Sequence, residues 1–266
     1  MQSLEAELDR VRDIPVAELA DAIETIGFEC TRCGGCCKAV TSPGCGDDDA
    51  ETTAGAKRDD NGGGVDPDER GGVDDTSGTE PHTATVFPDE IRRLQAAAAE
   101  TGEKPYDWRD VARPMPYGLD MGGDRPHGET FEWALQTNGC GDCTFYTETE
   151  DGTGVCSVHG DRPLICRTYP FSLSLGGAAE PMGAVVDREG AVRAHECEGL
   201  GREIAREEAE ALAETLKERT IRERKEAIGV RDNYRPIDTE AVVVHDSEGQ
   251  KRPDGTAHAE NPTDRR

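Results

Sequence analysis

The sequence predicts an α+β fold: a small, irregular, cysteine-rich domain organised by metal, with short hairpins and flanking helices. Three observations carry that expectation. Ten cysteines fall in clusters along 266 residues, hydrophobic residues make up only 34% and aromatics 5%, and stretches of helical period alternate with short runs punctuated by Gly and Asp. So thin an apolar supply implies a core smaller than the chain length suggests.

The N-terminal unit, residues 1–45, opens with two short helices over 4–26, broken near Pro15. Leu4, Leu8 and Val11, then Val16, Leu19, Ala20 and Ile23, lie on stripes of helical period. Pro15 sits where the second helix begins, with Asp13 placed to cap it. These helices deliver the chain to CTRCGGCC, residues 30–37. Residues 46–80 hold 12 Asp or Glu, 8 Gly and three basic residues. Such a stretch buries too little surface to offset its ordering entropy, and a disordered acidic insertion is expected.

Residues 81–230 complete the domain. Pro88 and Asp89 open a helix that Gly102 closes. FEWALQT, 131–137, alternates as a strand with Phe131, Trp133 and Leu135 on one face. CTFYTETEDGTGVC reads as a hairpin turning at Glu150, Asp151 and Gly152. RPLICRTYPFSL is a turn or short helix between prolines, and MGAVVDREGAVR, 182–193, is a second hairpin turning at Gly190. From about Arg202 to Ile228 a long helix carries Ile204, Leu212, Leu216 and Ile221 among charged residues, one face packed and the rest solvated. Residues 231–266 read as a mobile polar tail in which TEAVVVHD allows one strand.

The formal charge of -26 argues against a phosphate-tracking surface, so no nucleic-acid partner is expected. Only six basic residues are Lys, at 38, 57, 104, 217, 225 and 251. Acid excess with scarce Lys fits a salt-adapted cytosol, an archaeal one in our reading, where screening suppresses self-repulsion. The charged N-terminus lacks the features of a signal peptide and no stretch approaches a membrane span, so a cytoplasmic protein without membrane partners is expected.

Cysteines in a reducing compartment favour metal ligation or redox chemistry over structural disulfides. A C-x2-C unit turns both thiolates toward one ion while backbone N–H groups reach the sulfurs, and Gly34 and Gly35 supply the permissive backbone. Adjacent Cys36 and Cys37 diverge, so either one serves a second centre or the centre holds several metal atoms.

CTRCGGCC, then CTFY, then VCSVHGDRPLICRTYPF, then HECEG together resemble the YkgJ-type cysteine-cluster family, a zinc- or iron-chelating CxxCxxCC domain. The resemblance runs from Cys30 to about Cys197 apart from the acidic insertion, and it ends on a C-x-G element. It places the family's cysteines, and so the implied metal ligands, on Cys30, Cys33, Cys36, Cys37, Cys143, Cys156, Cys166 and Cys197. Cys45 and Cys140 fall outside that set. Tyr146, His159 and Tyr169 depart mildly from the usual residues. One branch of the family includes flagellin lysine N-methylases, but no G-x-G-x-x-G or G-x4-G-K-[ST] nucleotide loop is present here.

The cofactor expected is an iron–sulfur cluster, since C-x2-C-x2-C resembles the opening of a ferredoxin ligand set; zinc is the alternative, because four thiolates suit both. Arg162 and Arg167 flank Cys166, placed to lower a cluster's charge or to pair with carboxylates. His159 and His195 stand near sulfurs as optional fourth ligands, Asp142 and Asp161 have no nucleophile to serve, and Trp108, Trp133, Phe145, Tyr146 and Phe171 read as core aromatics around the site. Three functions follow: an iron–sulfur protein for electron transfer or for organising a site for a protein or redox partner, a structural zinc interaction module, or a methyltransferase or oxidoreductase. Whether the protein is an enzyme stays open.

Overall fold

A computed structural model describes residues 3–39, 81–100, 105–122, 125–175, 184–237 and 239–258. The acidic insertion, Cys45 and Gly102 lie outside them. The architecture is α+β, with helices set against several small sheets.

Helices α1 (Leu4–Asp13) and α2 (Val16–Ile26) match the periodic stripes. The expected cap does not form: Asp13 is the last residue of α1, and α2 starts on Pro15 with no side-chain cap. Proline's fixed φ presets the turn without one. The chain continues through β1 (Thr85–Val86), α3 (Pro88–Glu100), α4 (Trp108–Val111), β2 (Ala112–Pro114), β3 (Leu119–Asp120), β4 (His127–Thr130) and β5 (Trp133–Leu135). The two hairpins follow. β6 (Tyr146–Glu148) pairs with β7 (Gly154–Cys156), and Gly152 takes φ 79° between them. After α5 (Leu164–Thr168) and β8 (Phe171–Leu173), β9 (Val185–Glu189) pairs with β10 (Val192–His195) across Gly190 at φ 55°. The long helix is α6 (Arg206–Asn233), followed by β11 (Val242–Asp246) and β12 (Gly249–Lys251).

Two apolar cores result. The first packs Leu19, Ala20, Ile23 and Ile26 of α2 against Ala209, Ala213 and Leu216 of α6, and both against Phe171, Val192 and Ala194 of the sheet β8-β10-β9. Small Ala209 and Ala213 bring α6 close, and each buried Leu or Ile contributes about 1.5–3 kcal/mol. The second gathers Val86, Ile91, Leu94, Val111, Trp133, Leu135, Phe145 and Val244 around the sheet β1-β5-β2. In β5 all three residues are buried, because it is the central strand. Phe131 falls outside it and is 47% exposed, so the expected single-faced strand is shorter than its apolar pattern.

The tail is the larger departure. Residues 242–251 form two strands of the sheet β12-β11-β4-β3, with Val243 and Val244 fully buried and β11 parallel to β4. A triple valine is well suited to such a strand, and its partner lies more than 100 residues earlier, where no local reading finds it. Among the described residues no helix is long and apolar enough to cross a membrane.

Candidate metal centre

Cys30, Cys33, Cys36 and Cys37 sit on the irregular segment that leaves α2. It turns tightly at Gly34, φ 77°, where the Gly34 carbonyl accepts from the Cys37 amide at 2.8 Å and the Lys38 amide at 3.1 Å. Arg32 also takes a left-handed φ of 57°. A Cβ on Gly34 would lie 2.0 Å from the Tyr146 hydroxyl, so this glycine fits the turn and the close approach of the first hairpin.

Backbone hydrogen bonds tie the remote cysteines to this segment. The Cys143 amide donates to the Cys37 carbonyl at 2.8 Å, and the Gly154 amide, two residues before Cys156, donates to the Arg32 carbonyl at 2.8 Å. The Glu29 amide donates to the Gly199 carbonyl at 3.0 Å and the Gly201 amide to Gly27 at 3.0 Å, bringing Cys197 beside Cys30. The Gly199 amide also points back at the Cys197 sulfur, 3.4 Å away. Cys166 arrives on α5, whose first amide, Leu164, donates to the buried Glu90 carboxylate at 2.9 Å.

All eight cysteines of the resemblance are free thiols, with Cys143 buried, Cys30, Cys33 and Cys36 exposed and the rest half-buried. Cys140 is disulfide-bonded and stands apart from them, so the preference for thiol chemistry over disulfides holds for the eight but not for every cysteine. Cys37, Cys143, Cys156 and Cys166 all pack with the second core. Cys33, Cys36 and Cys30 act on Cys197, and Cys36 acts also on Cys143, Cys156 and Cys166, so it is shared between the two groups. Cys36 and Cys37, with sulfurs 3.8 Å apart, stand where the two groups meet.

The thiols are gathered but not closed: among the described residues no three His, Cys, Asp or Glu donors enclose a point fit for an ion. Burial favours the protonated form of the inner thiols. Burial pushes Cys143 up to about 11 and Cys166 well above its ordinary value, where Cys143, Cys36 and Cys156 add repulsion. The hydrogen bond with Cys37, then burial, raises Cys36, and burial raises Cys156 and Cys197. A soft cation replaces those protons directly, and the donor set, all sulfur, fits zinc or an iron–sulfur centre.

Of the neighbours, Arg162 faces the sulfurs, its charge opposing the rise at Cys36, Cys156 and Cys166; Arg167 is exposed. His195 is buried and shares a 2.8 Å hydrogen bond with Ser172, a packing role. His159 is exposed, and Arg162, then burial, lowers its pKa. Asp142 accepts from the Ala39 amide at 2.8 Å. Phe145 and Tyr146 pack with the second group of thiols, whereas Phe171 belongs to the first core. Sequence reasoning missed His82, which hydrogen-bonds the Cys36 backbone and is pushed down to about 4 by burial. It follows the acidic insertion directly, and no periodicity or motif marks it.

A family model described as CxxCxxCC, a putative zinc- or iron-chelating domain, matches residues 29–198. No curated protein and no solved structure gives a significant match.

Proposed function

The chain belongs to the CxxCxxCC zinc- or iron-chelating family, and from that premise we propose that its eight free thiols hold metal as two adjoining four-sulfur sets. One set is Cys30, Cys33, Cys36 and Cys197; the other is Cys37, Cys143, Cys156 and Cys166. The observation that supports this reading is that the second set shares one apolar core while Cys33, Cys36 and Cys30 act on Cys197, with Cys36 reaching both groups. The doublet does not diverge as its adjacency suggests: its sulfurs lie 3.8 Å apart, so in this reading Cys36 and Cys37 stand at the junction of the two sets.

Iron–sulfur chemistry is the favoured occupant, with zinc the alternative. The second set lies against Phe145, Val158 and Leu135, a dry shell of the kind that limits water and tunes a cluster's potential. Amide donors such as Gly199 and the positive charge of Arg162 stabilise thiolate charge. Such a centre passes single electrons to a redox partner or organises a binding surface. Anaerobic purification followed by analysis for iron, zinc and acid-labile sulfide tests it: brown protein absorbing at about 400 nm with stoichiometric sulfide is expected, and colourless zinc protein transfers the reading to a structural module. Cys36→Ser and Cys37→Ser test the partition. Each should remove a different part of the metal, and loss of the same spectral band in both overturns two sets in favour of one shared cluster.

The enzymatic reading keeps one specific support, a large cavity with Cys36 in its wall. A titration of cluster-replete protein with S-adenosylmethionine separates it, because absence of binding removes the methyltransferase version.

A further inference from the structure

The cavity beside the cysteines has a volume of about 1060 Å³, and its lining combines aromatic faces with carboxylates. Tyr117, 70% exposed, and Phe131, 47% exposed, stand at it as large rings left open to solvent. Tyr234 packs its ring on Phe131, centroids 5.8 Å apart. Facing this apolar lining are Glu132, Glu223 and Glu226.

The charges do not balance. The cations along the wall are already held: Lys38 by Glu148, Arg219 by Glu223 at 2.7 Å, Arg224 by Glu7 at 2.8 Å and Arg231 by Glu5 at 2.7 Å. Asp246, also on the wall, is neutralised by Lys251 at 2.8 Å. Glu132 and Glu226 have no cationic partner among the described residues; the Glu226 carboxylate accepts from Ser247, whose amide lies 2.8 Å away and whose side chain also contributes. Burial raises both pKa values, and Glu223 and Glu226 add repulsion at Glu132. An exposed carboxylate at Glu132 and a half-buried one at Glu226, beside open aromatic rings, are complementary to one chemical class, a positive head on an apolar body.

We propose that this cavity is a binding site for a small organic cation, an alkylammonium ion whose charged head lies at Glu132 and Glu226 and whose apolar part lies on Tyr117 and Phe131. A metal ion would leave the aromatic lining unused, and an anion would meet uncompensated carboxylates. The inference is independent of what the thiols hold, since it rests on carboxylates and aromatic rings alone. Cys36 lies in the wall of the same cavity.

The test is calorimetric titration of the full chain with n-pentylammonium, against 1-pentanol and pentanoate as neutral and anionic probes of equal length. Saturable binding of the ammonium is expected, at least tenfold tighter than the alcohol, with none for the carboxylate. Glu132→Gln and Glu226→Gln should each weaken it at least tenfold, while Glu207→Gln on the exposed start of α6 leaves it unchanged. The two carboxylates sit on different elements, so one variant failing to fold leaves the other to decide. No saturable binding, equal affinity for pentanol, competition by magnesium ion alone, or a correctly melting Gln variant with wild-type affinity overturns the proposal.

Discussion

Gly199→Ala adds one methyl group and removes no sulfur, so it isolates the stitch that brings Cys197 to Cys30. The new Cβ would lie 2.1 Å from the Glu29 carbonyl oxygen and 3.1 Å from a ring carbon of Phe28. Ordinary contact begins near 3.4 Å, so the two segments must part by roughly 1.3 Å, and the obstacle is backbone that cannot rotate away. The parting weakens the Glu29–Gly199 and Gly201–Gly27 hydrogen bonds, both 3.0 Å, at about 1 kcal/mol each. It also disturbs the edge-on contact of Phe28 with Phe171, 5.6 Å between centroids, worth about 0.5–1 kcal/mol. The expected loss is about 2–3 kcal/mol, or about 5–10 °C in Tm, together with metal from the set containing Cys197. Gly160→Ala is the control, since nothing lies within 4 Å of its added Cβ. Urea unfolding and metal analysis of both variants decide the matter: a Gly199→Ala protein with unchanged Tm and full metal content refutes the stitch. The same geometry gives a physical reason for the glycine of the C-x-G element.

Two further outcomes follow from the ion pairs. Arg219 is buried on α6, donating to the Thr168 hydroxyl at 2.9 Å, the Phe171 carbonyl at 3.1 Å and Glu223 at 2.7 Å. Arg219→Met should cost about 2–3 kcal/mol in urea unfolding, because the charge-assisted bonds vanish and their acceptors stay partly buried. Glu248 is held down to about 2, chiefly by hydrogen bonding from Arg92, against an ordinary 4.5. A depressed carboxylate stabilises the fold above its ordinary pKa and loses that contribution as pH falls from about 4.5 toward 2. The pair is exposed, so solvent limits it to about 0.5 kcal/mol; the stability gap between wild type and Glu248→Gln should be present at pH 7, shrink below about pH 4.5 and vanish only as pH falls to about 2.

What the sequence disclosed divides along physical lines. Helices α1, α2 and α3 were legible because apolar period and proline punctuation are local, and both hairpins because Gly152 and Gly190 mark turns needing positive φ. Strand β8 was hidden between prolines. β11 was allowed as a strand but lost to the tail, because its value depends on pairing with β4, which composition does not display. On α6 the apolar leucines suggested a thin stripe, yet the packed face is completed by Ala209, Ala213 and a buried Arg219 that no hydrophobic pattern would choose. The cysteines were legible as chemistry, and the doublet as a pointer to two centres or one polynuclear centre, but which sulfurs share a core was not. Cys37, Cys143, Cys156 and Cys166 meet in the second core only through tertiary packing.

The junction has a thermodynamic consequence. Cys37, Cys143, Cys156 and Cys166 pack with the second core, whereas Cys30 lies two residues after Phe28 and Cys197 three before Leu200, both of which pack on the first. Bound metal would therefore join two cores that are otherwise bridged by α5 packed on α6 through Arg219 and by α6 packed on β11. Metal binding to four-thiolate sites carries about 10 kcal/mol or more of folding free energy, enough to make the loaded protein unfold as one unit. Two probes separate the cores. Both tryptophans, Trp108 and Trp133, lie in the second, so indole fluorescence follows it, while far-ultraviolet circular dichroism is dominated by the helices α2 and α6 of the first. The two transitions should coincide in loaded protein and separate after chelation, with fluorescence changing at lower denaturant because that core loses the sulfurs packed into it. Coincident transitions after complete metal removal would mean that α6, through α5 and β11, couples the cores unaided, and the thiols would then serve chemistry without holding the fold together.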